Sequence, residues 1–108
     1  MEKQFIVKYT PEAKDEFKKL DLQNQKRAFR TISVFEQIGR DGVQSRPLND
    51  KGLFELKCDK IRMYFMYCEN SIVIVGVITL KKSQKAPERY KETAMLRIQK
   101  YIRSENNG

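Results

Sequence analysis

Residues 53–80 have the sequence LFELKCDKIRMYFMYCENSIVIVGVITL, in which three mainly apolar segments are separated by two short polar ones. The segments 53–58, 61–68 and 72–80 are rich in the aromatic and β-branched residues that favour strands. Asp59-Lys60 and Glu69-Asn70 are suited to tight turns between them. The last segment is apolar on both faces, which is typical of a central strand. This half of the chain therefore predicts an antiparallel meander.

The residues before the meander change to a helical period. Gln4 to Tyr9 alternates and predicts one further strand. Thr10-Pro11 is suited to cap and begin a first helix, and Asp21 to cap a second helix from Leu22 to Ile38. Gly39 is a natural end for that helix. Residues 40–51 contain glycine, proline, asparagine and aspartate, so we expect a loop there.

After the meander, Pro87 opens a last helix to about Arg103, and residues 104–108 are expected to form a flexible tail. The chain then has a single domain, 1–103. The order strand, helix, helix, strand, strand, strand, helix predicts an α+β fold: an antiparallel four-stranded sheet with two N-terminal helices and one C-terminal helix.

The composition limits the classes of function. A net charge of +8 on 108 residues favours nucleic acid, an anionic membrane or an acidic protein as partner. The chain has no histidine, which excludes Ser-His triads, Cys-His pairs and histidine-ligated metals, and its two cysteines are too few for a structural zinc. Neither a signal peptide nor a membrane span is visible, so we expect a cytoplasmic protein without membrane contact.

The hairpin at residues 53–68 predicts a cluster of charged side chains. If Asp59 and Lys60 are its two turn residues, Lys57 faces Arg62 and Glu55 faces Tyr64. Like charges placed opposite each other destabilise a sheet, and an anion between them removes the conflict. Lys60 adds a third cation. The cluster offers cations for a phosphate and two groups, Glu55 and Tyr64, that can move protons.

A second basic cluster follows the central strand. Lys81, Lys82 and Lys85 leave the sheet near Arg62 if the last two strands are antiparallel. Both interpretations remain open here, because a basic loop is also typical of a plain solvated surface, and Tyr64 and Tyr90 are suited to packing. Cys58 and Cys68 are expected to be small core residues at opposite ends of the hairpin, too far apart for a disulfide.

Two motifs resemble those of RelE/HigB-type toxins, of the RelE/ParE superfamily, especially the phage-derived HigB-like branch. Gly52 to Lys57 and Ile61 to Phe65 resemble the "G-L-W-E-L-R … Y-R-V-F-Y" core of these toxins. Val77 to Pro87 is similar to the "H-G-F-x-K-K-x-Q-K-T-P" motif before their last helix. Phe54 replaces the usual Trp, Lys57 replaces Arg, and the usual His is absent.

The resemblance implies a metal-independent endoribonuclease that needs no cofactor and cuts mRNA in the ribosomal A site. The 2′-hydroxyl attacks the adjacent phosphate and gives a 2′,3′-cyclic phosphate. We assign Arg62 and Lys57 to the scissile phosphate, and Glu55, Tyr64 or Lys57 to proton transfer. Lys81, Lys82 and Lys85 are assigned to the flanking phosphates or to ribosomal RNA, with Lys82 counted among the catalytic residues, and Lys60 is assigned to phosphate binding.

The resemblance also implies a partner and leaves rivals. The partner is an antitoxin, with a helix-turn-helix domain if it is HigA-like, so that DNA is contacted only through the antitoxin. One rival function is a ParE-like inhibitor of DNA gyrase. The other is a basic module that binds without chemistry, and whose binding weakens steeply with salt.

Overall fold

The computed structural model describes residues 3–81 and 85–107, in which the main elements are three α-helices and five strands. The helices are α1 (Pro11–Lys18), α2 (Leu22–Ile38) and α3 (Glu88–Asn107); the strands are β1 (Ile6–Tyr9), β2 (Gln44–Pro47), β3 (Leu53–Cys58), β4 (Ile61–Tyr67) and β5 (Ile72–Leu80). The strands form one sheet in the order β1-β5-β4-β3-β2.

The helices cover both faces of the sheet, which creates two hydrophobic cores. On one face Ala28, Ile32 and Phe35 of α2 pack against alternate residues of β3, β4 and β5. On the other face Ala94 and Ile98 of α3 pack against the intervening residues. Strand β5 is buried from Val73 to Ile78 because both cores use it. This explains its apolar character on both faces.

The N-terminal ends of α1 and α2 are capped as the sequence predicts. The Thr10 hydroxyl accepts a hydrogen bond from the Ala13 amide (3.1 Å), and the Asp21 carboxylate accepts one from the Asn24 amide (2.8 Å). These bonds satisfy amide donors that have no partner inside the helix. Gly39 ends α2 with a φ of 70°, a conformation that favours glycine.

The α+β class is confirmed, but the prediction of a four-stranded antiparallel sheet is wrong in two details. Gln44–Pro47 forms a fifth strand inside the predicted loop, since the free edge of β3 supplies hydrogen-bond partners to a segment without apolar alternation. Strand β1 pairs with β5 in parallel, from Ile6 opposite Ile72 to Tyr9 opposite Val75. The sheet is therefore mixed.

Helix α3 is longer than predicted. It continues to Asn107, so most of the segment that we assigned to a tail after Arg103 is helical. None of the helices in residues 3–81 and 85–107 is long and apolar enough to cross a membrane.

A β-bulge at Gly76 brings α3 close to β5. Tyr64 pairs with Val77 and Phe65 pairs with Val75, so Gly76 is an extra residue on β5. A Cβ atom at this position would lie 2.7 Å from the Ala94 carbonyl oxygen and 2.9 Å from Cγ1 of Ile98. Glycine is therefore required by the closeness of the helix rather than by its backbone angles.

Carboxylates cover the open edges of the sheet beside β1 and β5. Glu16 of α1 accepts a hydrogen bond from the Ile78 amide (3.0 Å) and forms an ion pair with Arg97 of α3 (3.0 Å). Arg97 also donates to the Gly76 carbonyl oxygen (3.0 Å). On the outer side of β1, Glu36 accepts from the Val7 amide (3.0 Å). These bonds fasten α1, α2 and α3 to the sheet.

We expect Gly76→Ala to lower the free energy of unfolding by about 1–3 kcal/mol, because its methyl group overpacks the contact with α3. Urea denaturation followed by circular dichroism measures the loss. Thr79→Ala on the same strand removes atoms without adding any, and it serves as the control. An unchanged denaturation midpoint for Gly76→Ala would show that α3 is free to move away.

Candidate functional site

The predicted register of the central hairpin is confirmed. Lys57 lies opposite Arg62 and Glu55 lies opposite Tyr64, with Asp59 and Lys60 as the two turn residues. Because side chains alternate along a strand, Glu55, Arg62 and Tyr64 lie on the face that α3 covers. The antiparallel pairing of β4 with β5 places Thr79 beside Arg62 on this face.

A cleft of about 180 Å³ opens on this face between the hairpin, the end of β5 and the first turn of α3. We call it the basic cleft. Its lining residues are Glu55, Arg62, Tyr64, Thr79, Leu80, Lys81, Lys85, Ala86, Pro87, Arg89 and Tyr90. The fold thus brings together five residues of the two clusters that the sequence singles out: Glu55, Arg62, Tyr64, Lys81 and Lys85.

Arg62 is held at the mouth of the cleft by the hairpin turn. Its Nη1 atom donates to the carbonyl oxygens of Asp59 (2.6 Å) and Ile61 (3.0 Å). The Asp59 carboxylate is in turn paired with Arg27 of α2 (2.9 Å). The Nε and Nη2 donors of Arg62 make no hydrogen bond among residues 3–81 and 85–107, so they remain for an anion in the cleft.

Glu55 is a buried carboxylate with one partner. Its side chain is 2% exposed, and its Oε1 atom accepts from Nε of Arg46 (2.9 Å), which lies directly opposite on β2. Within the described part of the chain, Oε2 accepts no hydrogen bond. A charge can stay buried here because Arg46 compensates it. Arg46 was missed in the sequence because β2 was interpreted as a loop.

Tyr64 lies beside Glu55 and holds its proton strongly. Burial, and next the negative charge of Glu55, raise the pKa of Tyr64 to about 12. Its ring packs edge-on against Tyr90 with 6.5 Å between the ring centroids. At neutral pH the hydroxyl keeps its proton, so Tyr64 is unsuited to the role of general base and is available as a hydrogen-bond donor.

Two predicted site residues, Lys57 and Lys60, are not among the described residues that line the basic cleft. Lys57 lines a separate shallow depression beside Gln44 on the adjoining strand. Lys60 is exposed in the turn, where its carbonyl oxygen accepts from the Lys81 amide (2.6 Å). Lys82 lies outside the described residues.

The structure adds Arg89 and Tyr90 to the cleft. The guanidinium carbon of Arg89 lies 5.0 Å from the centre of the Tyr90 ring. Tyr90 also packs against the core on this face, as the sequence predicts. The signal in the sequence for Arg89 is Pro87, which indicates a helix start close to the basic loop. Among the described lining residues, four cations (Arg62, Lys81, Lys85 and Arg89) accompany one carboxylate, that of Glu55. Such an arrangement suits a bound phosphate and the stabilisation of negative charge.

A larger cavity of about 450 Å³ lies between the second half of α3 and the other end of the sheet. One lysine, Lys8, and two acids, Glu69 and Glu105, stand among its mainly apolar lining residues. Anion chemistry therefore favours the smaller basic cleft.

Comparison with known proteins identifies a matching family and similar solved structures. Residues 15–99 match the family model described as "Phage derived protein Gp49-like (DUF891)". No curated protein sequence matches the chain. The fold is similar to a chain of the archaeal RelE–RelB complex from Pyrococcus horikoshii OT3, with a TM-score of 0.60 and 10% sequence identity, covering 71% of this chain and 94% of that chain.

A second similar structure is the toxin–antitoxin complex RelBE2 from Mycobacterium tuberculosis. The TM-score is 0.52 and the sequence identity 17%, covering 71% of this chain and 98% of that chain. At such identities the likeness shows a shared fold. The RelE-like architecture expected from the two sequence motifs is therefore confirmed.

We expect Arg46→Met to cost about 1–3 kcal/mol of unfolding free energy, because it leaves the buried Glu55 carboxylate without its partner. Adding Glu55→Gln removes the uncompensated charge and should recover much of the loss. A double-mutant cycle by urea denaturation measures the coupling. Additive effects of the two substitutions would contradict the ion pair.

We expect Tyr64 to ionise near pH 12 in the folded protein, against about 10 in the unfolded chain. The folded state holds the proton more strongly, so this stabilising contribution is complete below pH 10 and is lost as the pH rises through 12. Ultraviolet difference titration measures the ionisation, and Tyr64→Phe should remove one late-titrating group. If that variant leaves the late titration unchanged, the environment of Tyr64 is misassigned.

Proposed function

This chain belongs to the Gp49-like family of phage-derived proteins and has the fold of RelE toxins, and from this we propose that it is the toxin of a type II toxin–antitoxin system. The proposed toxin is a ribosome-dependent endoribonuclease that cleaves mRNA. The observation that carries the proposal is the basic cleft, which gathers Arg62, Lys81, Lys85 and Arg89 around Tyr64 and Glu55. The cleft thus combines phosphate-binding cations with groups able to transfer protons.

In the proposed reaction the RNA supplies its own nucleophile. The 2′-hydroxyl oxygen attacks the adjacent phosphorus, the bond to the 5′-oxygen breaks, and the products are a 2′,3′-cyclic phosphate and a 5′-hydroxyl. Negative charge accumulates on the phosphoryl oxygens in the transition state. Fixed cations such as Arg62 stabilise this charge because they are in place before the reaction begins. The proposed reaction therefore needs no histidine, and the chain has none.

The geometry narrows the choice of proton-transfer groups. Lys57 lies outside the cleft, and Tyr64 keeps its proton up to about pH 12. Glu55 lines the cleft and has its Oε2 atom without a hydrogen-bond partner in the described residues. We therefore assign proton acceptance from the 2′-hydroxyl to Glu55 and proton donation to the 5′-oxygen to Tyr64.

The proposed partner is an antitoxin. Both similar structures are toxin–antitoxin complexes, and a chain of charge +8 is suited to an acidic neutralising segment. Contact with DNA would then pass through the antitoxin, for which the HigB-like motifs favour a helix-turn-helix protein of the HigA type. The proposed substrate is mRNA in the ribosomal A site.

We expect expression of this chain to arrest growth and to create new 5′-hydroxyl ends in cellular mRNA, phased to codons. Arg62→Ala should reduce these ends by about a hundredfold or more, since it removes a transition-state cation. Glu55→Gln should also reduce them while keeping the shape of the side chain. Sequencing of 5′-hydroxyl ends measures the effect, with Lys100→Ala, an exposed cation away from the cleft, as the matched control.

Two other outcomes would refute the nuclease. Growth arrest with DNA damage and intact mRNA would indicate a gyrase inhibitor. Salt-sensitive RNA binding without new ends would indicate a binding module. A fully active Arg62→Ala variant would exclude the basic cleft as the site.

A further inference from the structure

Helix α2 exposes two large apolar side chains on the side of the molecule away from the basic cleft. Leu22 is 66% exposed and Phe29 is 67% exposed. The two are seven residues apart, so they lie on one face of the helix, about two turns from each other. With Phe17 of α1 they line a shallow groove of about 540 Å³. We call this surface the α2 groove.

Cations surround these apolar residues. Lys26 lies between Leu22 and Phe29 on the same face, and Arg30 adjoins it; both line the α2 groove. Lys18 and Lys19 at the end of α1 are also exposed. In residues 3–81 and 85–107 none of these four cations takes part in an ion pair, whereas Arg27 on the same helix does.

We propose that the α2 groove binds an acidic amphipathic helix of a partner protein. Leu22 and Phe29 lie about two helical turns apart on the groove. A bound amphipathic helix presents apolar residues at positions i, i+3, i+4 and i+7, which cover the same length and can contact both. Acidic residues beside that stripe would pair with Lys26 and Arg30. Such a partner satisfies both features of the groove, the exposed hydrophobic pair and the unpaired cations.

Other occupants satisfy only one of these features. A second copy of this chain would bring the same cations against themselves, on a molecule of charge +8. RNA would neutralise the cations and its bases can stack on Phe29, but it offers no aliphatic surface to cover Leu22 as well. The combination therefore favours an acidic helix over both.

The position of the α2 groove determines whether a bound partner covers the basic cleft. Helix α2 packs on one face of the sheet, and the basic cleft opens on the other. A helix bound in the α2 groove leaves the cleft accessible to a small anion or a short RNA. Binding here thus holds the partner without covering the proposed active site.

The test uses a fluorescent helical peptide with leucines one and two turns apart and glutamates on both sides of them. Anisotropy titration at low salt measures its affinity for the full chain. The double variant Leu22→Ser/Phe29→Ser should weaken binding on the order of tenfold to a hundredfold, the effect of truncating two anchors. Leu96→Ser is the matched control, because Leu96 is also 66% exposed but lies on α3.

A second pair of variants tests the charges. Lys26→Glu/Arg30→Glu should lower the affinity for the peptide, and the loss relative to the unchanged protein should grow as the salt concentration falls. Lys100→Glu should show no such loss. The Arg62→Ala variant should bind the peptide normally, so this result is independent of whether the chain cleaves RNA. Circular dichroism confirms that each variant is folded.

Several results would overturn the proposal. They are no binding of the peptide, equal binding of a scrambled peptide of the same composition, or equal losses for Leu96→Ser. Displacement of the peptide by single-stranded RNA in the Arg62→Ala variant would assign the groove to nucleic acid instead. Self-association in sedimentation, abolished by Leu22→Ser/Phe29→Ser, would assign it to a second copy.

Discussion

The carbonyl oxygen of Gly76 accepts hydrogen bonds from the Arg97 guanidinium and the Thr10 hydroxyl. The positions of α1 and α3 against the sheet depend on this one acceptor on β5. Arg97 is paired with Glu16, which also holds the Ile78 amide, so one network joins α1, β5 and α3. It forms where a bulge and a missing side chain allow α3 to approach the sheet. Since the first turn of α3 forms one wall of the basic cleft, the width of that cleft depends on contacts made two turns further along the helix.

Electrostatic cost is concentrated at the basic cleft. Arg62 faces Lys57 across the hairpin, and lysines and Arg89 add charge of the same sign, which does not stabilise a small domain that is already strongly positive. The one carboxylate among the described lining residues, that of Glu55, forms an ion pair with Arg46 on the neighbouring strand β2. The positive field therefore remains directed into the cleft. Natural proteins keep such local conflicts where they serve a function.

The sequence predicts each residue pair of the hairpin because a two-residue turn fixes the register. The register then fixes which side chains are neighbours. The sequence also predicts β5 as the central strand because a strand covered on both faces must be apolar on both. In the structure β5 is an interior strand, and β4 is the middle strand of the five. The sequence does not predict β2, whose residues have no apolar alternation and become a strand only beside the edge of β3. Nor does it predict the parallel direction of β1, which depends on contacts distant in sequence. Arg46 and Arg89 were missed for the same reason: each reaches the site through tertiary packing.

The carboxylates of Glu16 and Glu36 have a consequence for the chain when it is alone. An uncovered strand edge is a template on which another chain can add a strand, and this is a common route to aggregation. Glu36 occupies the outer amide of Val7, and Glu16 occupies that of Ile78 beyond the end of β1. On the opposite side, β2 is four residues long and ends in Pro47, which has no amide hydrogen to donate. Both edges of the sheet therefore offer few backbone donors to a strand of another molecule, which opposes aggregation through strand pairing.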